Sequence, residues 1–533
     1  MVPKAKVVLT ADSTVMSSYG NKLFYGFLST APKRVFKILS ADRMMRAILK
    51  KVPTDAEGRA KIAPQGLRRI ESALVGSGML TGEEVVVAPA EYLSMIVTGL
   101  TKVIGIAVID PLGQGPSSST FGGNYGVIHE ETINAAQFRN LMGSDVLRWA
   151  RRNGAKVVVG GPGVWQLGAN DMGEFGIDVL IDGEADLLFP KVVKSIMDGE
   201  LQTPAIIKTA FNHIPDAGQI YPLIGGTIGG LVEISRGCGR GCSFCMPTLR
   251  KIRHRPMEDI VADVKTNIRF GMNDICLHAE DVLRYGTTKM IPDTEKVVSL
   301  FKAIVEIPNA GVLSVSHTAL ASIASSPQTV SRVSDLAGLD KHNWMGFQTG
   351  IETGSTRIMQ NLMKMKPAPF KPSEWPHVVE TAFAICAENH WVPAATLLVN
   401  LPGEAECDVL QTIDLIDNLY DYRSLMVPLL YVPLGGDTTK PMRVLEDAKY
   451  YHFELYRSIW KHDMRWLREI AHDYGKNSSL PARLAISAIV NFTTGLADSK
   501  VLAYLDGCIE KLRPKDDAAL SFSRRNPKGY MNA

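Results

Sequence analysis

Cys238, Cys242 and Cys245 stand in the run Arg236-Gly237-Cys238-Gly239-Arg240-Gly241-Cys242-Ser243-Phe244-Cys245, a C-x3-C-x2-C spacing with an aromatic just before the last cysteine. Three thiolates on one short loop suit three irons of a [4Fe-4S] cubane. Such clusters ordinarily take four cysteines, so a set of three leaves one iron open and points to a catalytic cluster rather than an electron wire. Structural zinc wants four N/S ligands, usually as two pairs, and near this loop only the solitary His254 offers itself. A disulfide framework is disfavoured, because 7 cysteines in 533 residues are an odd and sparse set and no apolar leader follows Met1. Cys276, Cys386, Cys407 and Cys508 are scattered and read as buried small hydrophobes.

The elements that must position this loop follow from apolar patterning. Val7 to Leu9, Val85 to Ala88, Val103 to Ile109, Lys156 to Val159 and Ile177 to Ile181 are short apolar runs. The helical stretch Ala135–Asn153 separates two of them. Continuous apolar strands alternating with helices indicate a parallel sheet covered on both faces, whose ligands bind beyond the strands' carboxyl ends. Those ends carry Asp12-Ser13-Thr14, Asp110-Pro111-Leu112-Gly113, Gly160-Gly161-Pro162 and Asp182-Gly183-Glu184. Further strands near 231, 274, 312, 345, 394 and 427 predict a partial (βα)6 TIM-like barrel, with its site at the strand carboxyl ends. From Tyr450 onward, Phe453, Tyr456, Trp460 and Trp466 recur at helical spacing, which reads as packing. The fold class is thus α/β in three parts: a Rossmann-like sheet (1–205), the barrel (206–440) and a mostly helical C-terminal domain (441–533). The run Tyr92–Val108 is interrupted by Ser94, Thr98, Thr101 and Lys102, so it reads as a helix end joined to a strand rather than a membrane span. A net charge of +3 gives no argument for nucleic acid or membrane, and a reducing, anaerobic cytoplasm is expected.

The cysteine run, preceded by the strand Leu231-Val232-Glu233-Ile234-Ser235, resembles the signature of the radical S-adenosylmethionine (SAM) enzymes. The resemblance implies that the open iron chelates SAM and that the reduced cluster cleaves it to a 5′-deoxyadenosyl radical. With the glycine-rich strand ends, residues 1–200 are similar to the cobalamin-binding domain of the cobalamin-dependent members. That implies contacts from Asp12, Ser13, Thr14, Asp110, Pro111, Leu112, Gly113, Gly160, Gly161, Pro162, Gly183 and Glu184. The Asp-x-His-x-x-Gly motif of other cobalamin enzymes is absent, so the lower cobalt ligand stays undefined, with His129 and Tyr125 on a plausible loop.

Ala279-Glu280-Asp281 takes the place of the family's Gly-Gly-Glu motif, whose acidic end accepts hydrogen bonds from the SAM ammonium; Glu280 and Asp281 are both open to that role, Glu280 being favoured. The Ile351-Glu352-Thr353-Gly354 turn implies that Glu352 meets the ribose or amino-acid part of SAM and that Gly350 lets backbone approach the adenosine. Ser316 is implied as a SAM contact, Leu397 as part of the adenine-side strand, and Phe244 as stacking near cluster and adenine. Tyr431 points either to the site or into the barrel wall.

These cofactors imply a C-methyltransferase. Methyl would pass from SAM to cobalamin, and a radical made from a second SAM would take hydrogen from an unactivated sp3 carbon, which then collects the methyl from methylcobalamin. Loops 10–14, 110–116 and 280–286 resemble those of the methanogen branch acting on a glutamine α-carbon of methyl-coenzyme M reductase. A protein or peptide acceptor, the alpha subunit of that reductase, is therefore expected, together with a ferredoxin or flavodoxin as electron donor, and neither nucleic acid nor membrane. The competing readings are a cobalamin-dependent radical SAM oxidative cyclase or rearrangement enzyme, and a non-catalytic iron–sulfur sensor or assembly factor. Glu280 and Glu352 count against the sensor, which needs no SAM carboxylates.

Overall fold

In a computed structural model of the chain, the structure describes residues 4–19, 23–33, 49–123, 125–126, 128–209, 214–245, 251–434, 441–475, 487, 490–491 and 493–514. The N-terminal sheet has strands β1 (Val7–Ala11), β2 (Val85–Val87), β3 (Val103–Ala107), β4 (Lys156–Gly160), β5 (Val179–Asp182) and β6 (Ala205–Lys208). All are parallel, in the spatial order β2-β1-β3-β4-β5-β6. Every residue of β1 and β2 is buried, as expected where helices cover both faces. One face packs Ile104, Ile106 and Val157 against Phe138 and Leu147; the other packs Val7, Leu9 and Val158 against Leu67, Phe189 and Val192. The stretch expected as one helix over Ala135–Asn153 is two, Ile133–Met142 and Asp145–Arg152. Gly143 caps the first, its N–H bonding the Arg139 carbonyl, and Ser144 sits extended before the second.

The barrel follows with β7 (Leu231–Glu233), β8 (Ile275–His278), β9 (Leu313–Val315), β10 (Met345–Glu352), β11 (Trp391–Val399) and β12 (Leu425–Leu430). All pairings are parallel, β7 to β8 to β9 and β10 to β11 to β12, and a bridge between His317 and Gln348 joins the two halves. Six parallel strands in sequence order make the expected partial (βα)6 barrel. The helices Tyr450–Gly475 and Asp498–Leu512 lie against its wall, and Phe453, Ile459, Leu505 and Ile509 share one core with Val409 and Ile416 of the barrel. The C-terminal helices therefore complete the barrel's core rather than build their own. The basic tail beyond residue 514 lies outside the described residues. Among the described residues no helix is long and apolar enough to cross a membrane.

Candidate active site

The cysteine loop leaves β7 through Ser235–Arg236, which pairs antiparallel with Arg253–His254. Gly237, Gly239 and Gly241 have φ of 82°, 69° and 65°. Added Cβ atoms would meet nothing at Gly241, so glycine is needed there for the left-handed turn and not for room. The loop is held from outside. Arg240 donates to the carbonyls of Lys366 (2.8 Å) and Ala368 (2.7 Å), to Ser322 Oγ (3.1 Å) and to Asp281 Oδ2 (3.3 Å). Arg284 Nη1 donates to the Cys238 carbonyl at 2.6 Å, and Ser243 N–H to the Leu362 carbonyl at 2.9 Å. The three motif cysteines are partly buried, and none of the seven forms a disulfide. Among the described residues no three His, Cys, Asp or Glu side chains converge as a single metal ion would require. A cubane is gripped at separate corners, so its thiolates stand apart rather than around one point. Of the four cysteines expected in the core, Cys386 is buried but Cys407 is exposed, at the second position of the helix Glu406–Asn418.

The structure separates Glu280 from Asp281. Asp281 is buried, and its carboxylate accepts from Ser322 Oγ (2.7 Å), Thr318 Oγ1 (3.1 Å), the Ala319 N–H (3.2 Å) and Arg240. It is fully engaged in holding the loop. Glu280 Oε2 is buried without a partner, and burial pushes the Glu280 carboxyl up against hydrogen bonds from its own and the Gly237 backbone. A buried acceptor left open beside the cysteine loop is where a cationic amine fits.

Glu352 ends β10 with φ 63°, where a bulge shifts the register against β11. Its Oε1 meets Lys366 Nζ at 3.0 Å, and its Oε2 accepts from Thr396 Oγ1 at 3.3 Å. A Cβ at Gly350 would stand 1.9 Å from Glu352 Oε1, so the glycine makes room for this carboxylate. Lys366 was not foreseen, although a lysine inside the apolar run Leu362-Met363-Lys364-Met365-Lys366-Pro367 is the kind of signal that marks a buried charge. Burial opposes its charge, yet Glu352 and the neighbouring Cys242 thiol hold its ammonium above the ordinary lysine range.

Ser316 Oγ lies 2.9 Å from His278 Nδ1, and burial lowers the His317 imidazole to about 4, leaving it neutral near pH 7. Leu397 is 0% exposed, while its neighbours Thr396 and Leu398 on β11 are partly exposed, and Thr396 Oγ1 reaches Glu352; alternation along a strand puts the Leu397 side chain on the other face. The Tyr431 ring packs edge-on against Phe244 at 6.3 Å, joining the last strand to the cysteine loop.

At the sheet's carboxyl edge, the chain order reverses between β1 and β3, the switch point where such sheets hold ligands. Asp12, Ser13 and Thr14 line one side and Asp110 to Gly113 the other. Their acidic groups are turned inward. Asp12 Oδ1 accepts from Thr14 N–H (2.8 Å) and Oγ1 (2.5 Å). Asp110 accepts from Gly115 N–H (2.9 Å), Gln166 Nε2 (2.7 Å) and Asn134 Nδ2 (2.8 Å). Pro111 and Gly113 are buried beneath the loop, Leu112 packs on the core, and Ser13 Oγ donates to Gln137 Oε1 at 2.9 Å. Ile109 is 57% exposed, and Gly161 and Pro162, in the turn that follows the next strand, are exposed as well. A Cβ at Gly161 would stand 2.5 Å from the Val108 carbonyl, so the turn following Gly160 is tied to the strand beside it. Together these residues form an uncharged shelf at the switch point. Glu184, after Gly183, is already paired with Arg236 (2.7 Å) and Arg253 (2.6 Å) of the barrel. In this structure Asp12, Asp110 and Glu184 thus all have partners within the protein and build the loops at this edge.

Residues 232–416 match the Radical SAM superfamily. This central segment is a radical SAM domain, which implies a [4Fe-4S] cluster and SAM. Similar curated proteins include a tRNA-2-methylthio-N(6)-dimethylallyladenosine synthase of Syntrophus aciditrophicus, 24% identical over 54% of this chain and 62% of that protein. A ribosomal protein uS12 methylthiotransferase of Akkermansia muciniphila is 28% identical over 21% of this chain and 25% of that protein. A putative methylthiotransferase of Methanocaldococcus jannaschii is 25% identical over 51% of this chain and 60% of that protein. The chain thus spans a quarter to about three fifths of the length of these relatives. Among solved structures, the radical SAM methyltransferase TsrM of Kitasatospora setae, with cobalamin and a [4Fe-4S] cluster bound, superposes with a TM-score of 0.51 at 12% identity, covering 80% of this chain and 75% of that one. That likeness gives the architecture, a parallel sheet domain followed by the barrel.

Proposed function

We propose that the chain is a cobalamin-dependent radical SAM C-methyltransferase acting on an unactivated sp3 carbon. The observation that carries this reading is the pairing of two open surfaces. The cysteine loop with the open Glu280 Oε2 lies on one side, the uncharged shelf of Ile109, Gly161 and Pro162 belongs to the sheet domain, and Glu184 joins that domain to the loop's own arginine. Cys238, Cys242 and Cys245 would hold the cluster, Glu280 the SAM ammonium, Lys366 a carboxylate beside Cys242, and the shelf the cobalamin. Bound together, these groups supply a carbon-centred radical and a transferable methyl. The chain's own part is to keep three thiolates open on one side, place one buried acceptor for the amine, and screen the loop from water with Phe244 and Tyr431. Methylthio transfer additionally requires a sulfur source, and no cysteine precedes Cys238, so the sheet domain offers no thiolate to hold one.

Within this reading we assign the acceptor as a glutamine α-carbon in the alpha subunit of methyl-coenzyme M reductase, with a ferredoxin or flavodoxin as reductant. The resemblance of loops 10–14, 110–116 and 280–286 to the methanogen enzymes supports it. Anaerobic purification from a cobalamin-supplemented host tests the first part, with stoichiometric cobalamin beside a cluster band in the visible spectrum expected. Incubation with methyl-deuterated SAM and a peptide bearing the glutamine should then add a deuterated methyl, read by mass spectrometry. A loaded cluster with no cobalamin overturns the methyltransferase reading, and label in no peptide overturns the acceptor.

A further inference from the structure

Arg236 lies two residues before Cys238, and its guanidinium is shared between two domains. It donates to Glu184 Oε2 at 2.7 Å and Asp186 Oδ2 at 2.9 Å, both in the loop after β5, and to Glu233 Oε1 at 2.7 Å and Oε2 at 3.0 Å at the end of β7. Arg253, on the strand paired with Arg236, takes the other oxygen of Glu184 at 2.6 Å. Behind them Arg69, from a helix of the sheet domain, reaches Glu233 at 3.3 Å. Side-chain exposure is 15% or less throughout. Burial works against the Glu233 carboxylate, but Arg236, Arg69 and Arg255 hold it well below the ordinary range. Residues of left-handed conformation flank the cluster on both sides: Gly183 (φ 116°) directly precedes Glu184, and Gly237 (φ 82°) directly follows Arg236. Each loop therefore carries a permissive hinge next to the residue that ties it down.

We propose that the Arg236–Glu184–Asp186 clamp is a positioning device that sets the sheet's carboxyl edge against the cysteine loop, and so fixes the separation of the two cofactor sites. It rests on the two-cofactor reading above. Directional ion pairs suit this task better than apolar packing, because a forked guanidinium accepts only one arrangement of its carboxylates. The device matters for coupling: a radical made while the methyl donor is displaced is wasted, and misplacement of about 1 Å costs on the order of 100-fold in a transfer step.

The test uses full-length protein loaded with cluster and cobalamin, comparing Glu184→Gln and Arg236→Lys with the unaltered chain. Lys156→Ala serves as a control, since it breaks an ion pair (Lys156–Asp178) at the opposite edge of the sheet. Expected are unchanged iron and cobalamin content, faster hydrogen exchange at 183–186 and 235–245 together, and a roughly 10- to 100-fold rise in 5′-deoxyadenosine formed per methyl transferred. An unchanged ratio, or exchange altered on one loop alone, overturns the proposal. If either variant fails to fold, Asp186→Asn removes a single contact and the same ratio decides. Should the unaltered protein bind no cobalamin, the functional reading falls, while the paired exchange response still decides the clamp.

Discussion

Two neighbouring carboxylates should respond in opposite ways to loss of charge. In Asp281→Asn, one acceptor oxygen remains, but the buried Arg240 guanidinium loses its only carboxylate among the described residues. Removing one partner of a buried pair costs about 3–5 kcal/mol; because the amide keeps part of the network, about 3 kcal/mol is expected. For a unit of barrel size this lowers the melting temperature by roughly 6–12 °C. Arg240 also carries the carbonyls of Lys366 and Ala368, so the cysteine loop should loosen and iron content fall. In Glu280→Gln the lost charge had no partner at Oε2 and was disfavoured by burial, so melting should stay within about 2 °C. SAM binding should weaken instead: a hydrogen bond to a charged group contributes about 1.5–3 kcal/mol, a loss of about 10- to 150-fold in affinity. Thermal unfolding followed by tryptophan fluorescence, iron assay and equilibrium dialysis with SAM under anaerobic conditions measure all three. A Glu280→Gln protein that melts early, beside an Asp281→Asn protein that melts normally but loses SAM, would refute the assignment.

Gly350→Ala should push Glu352 off Lys366, since its Cβ would stand 1.9 Å from Oε1 and 2.9 Å from Nζ; SAM affinity should fall several-fold with iron content unchanged, by the same dialysis. Leu397→Ala should cost about 2–5 kcal/mol of stability, and Leu398→Ala clearly less, as read from denaturant midpoints. Burial pushes Asp463 up to about 8, against a hydrogen bond from the Met426 N–H. Folding therefore favours the protonated acid, so its stabilisation is complete below the ordinary aspartate range and drains away as pH rises through 8. Asp463→Asn should accordingly melt higher than the unaltered chain near about pH 9 and the same near about pH 4, which scans at the two pH values check.

The cysteine loop and all six barrel strands were legible because each is written locally, in spacing or in an apolar run. What the sequence left open depended on distant partners. Asp281 differs from Glu280 through distant partners: Arg240 and Ser322, each 41 residues away, and Thr318 and the Ala319 N–H. Lys366 enters the site from the irregular chain after the helix Thr356–Leu362, where no periodicity predicts direction. Leu397 and Thr396 are one residue apart, which on a strand means opposite faces, and the apolar run does not say which face is the inner one. Asp110 and Glu184 were singled out because strand ends usually provide ligand contacts; their hydrogen bonds inward and across to the other domain depend on partners far along the chain. The helix break at Gly143 was signalled by a glycine–serine pair that helical periodicity on either side outweighed.

The bonds that fasten the cysteine loop have a consequence for the order of biosynthesis. Beyond the Arg236 clamp, its holders, the carbonyls of Leu362, Lys366 and Ala368 and the ring of Tyr431, lie downstream. When Cys245 is added to the growing chain, none of them exists, and roughly 190 residues must still be added before Tyr431 arrives. At about 5–20 residues per second that is on the order of 10–40 s during which three thiols sit on a glycine-rich loop that lacks its downstream holders. Iron and sulfide delivered in that interval would meet a chain unable to hold them in one shape. The cluster belongs at the end of assembly, and the newborn loop is where a delivery factor or an oxidant would find this protein most exposed.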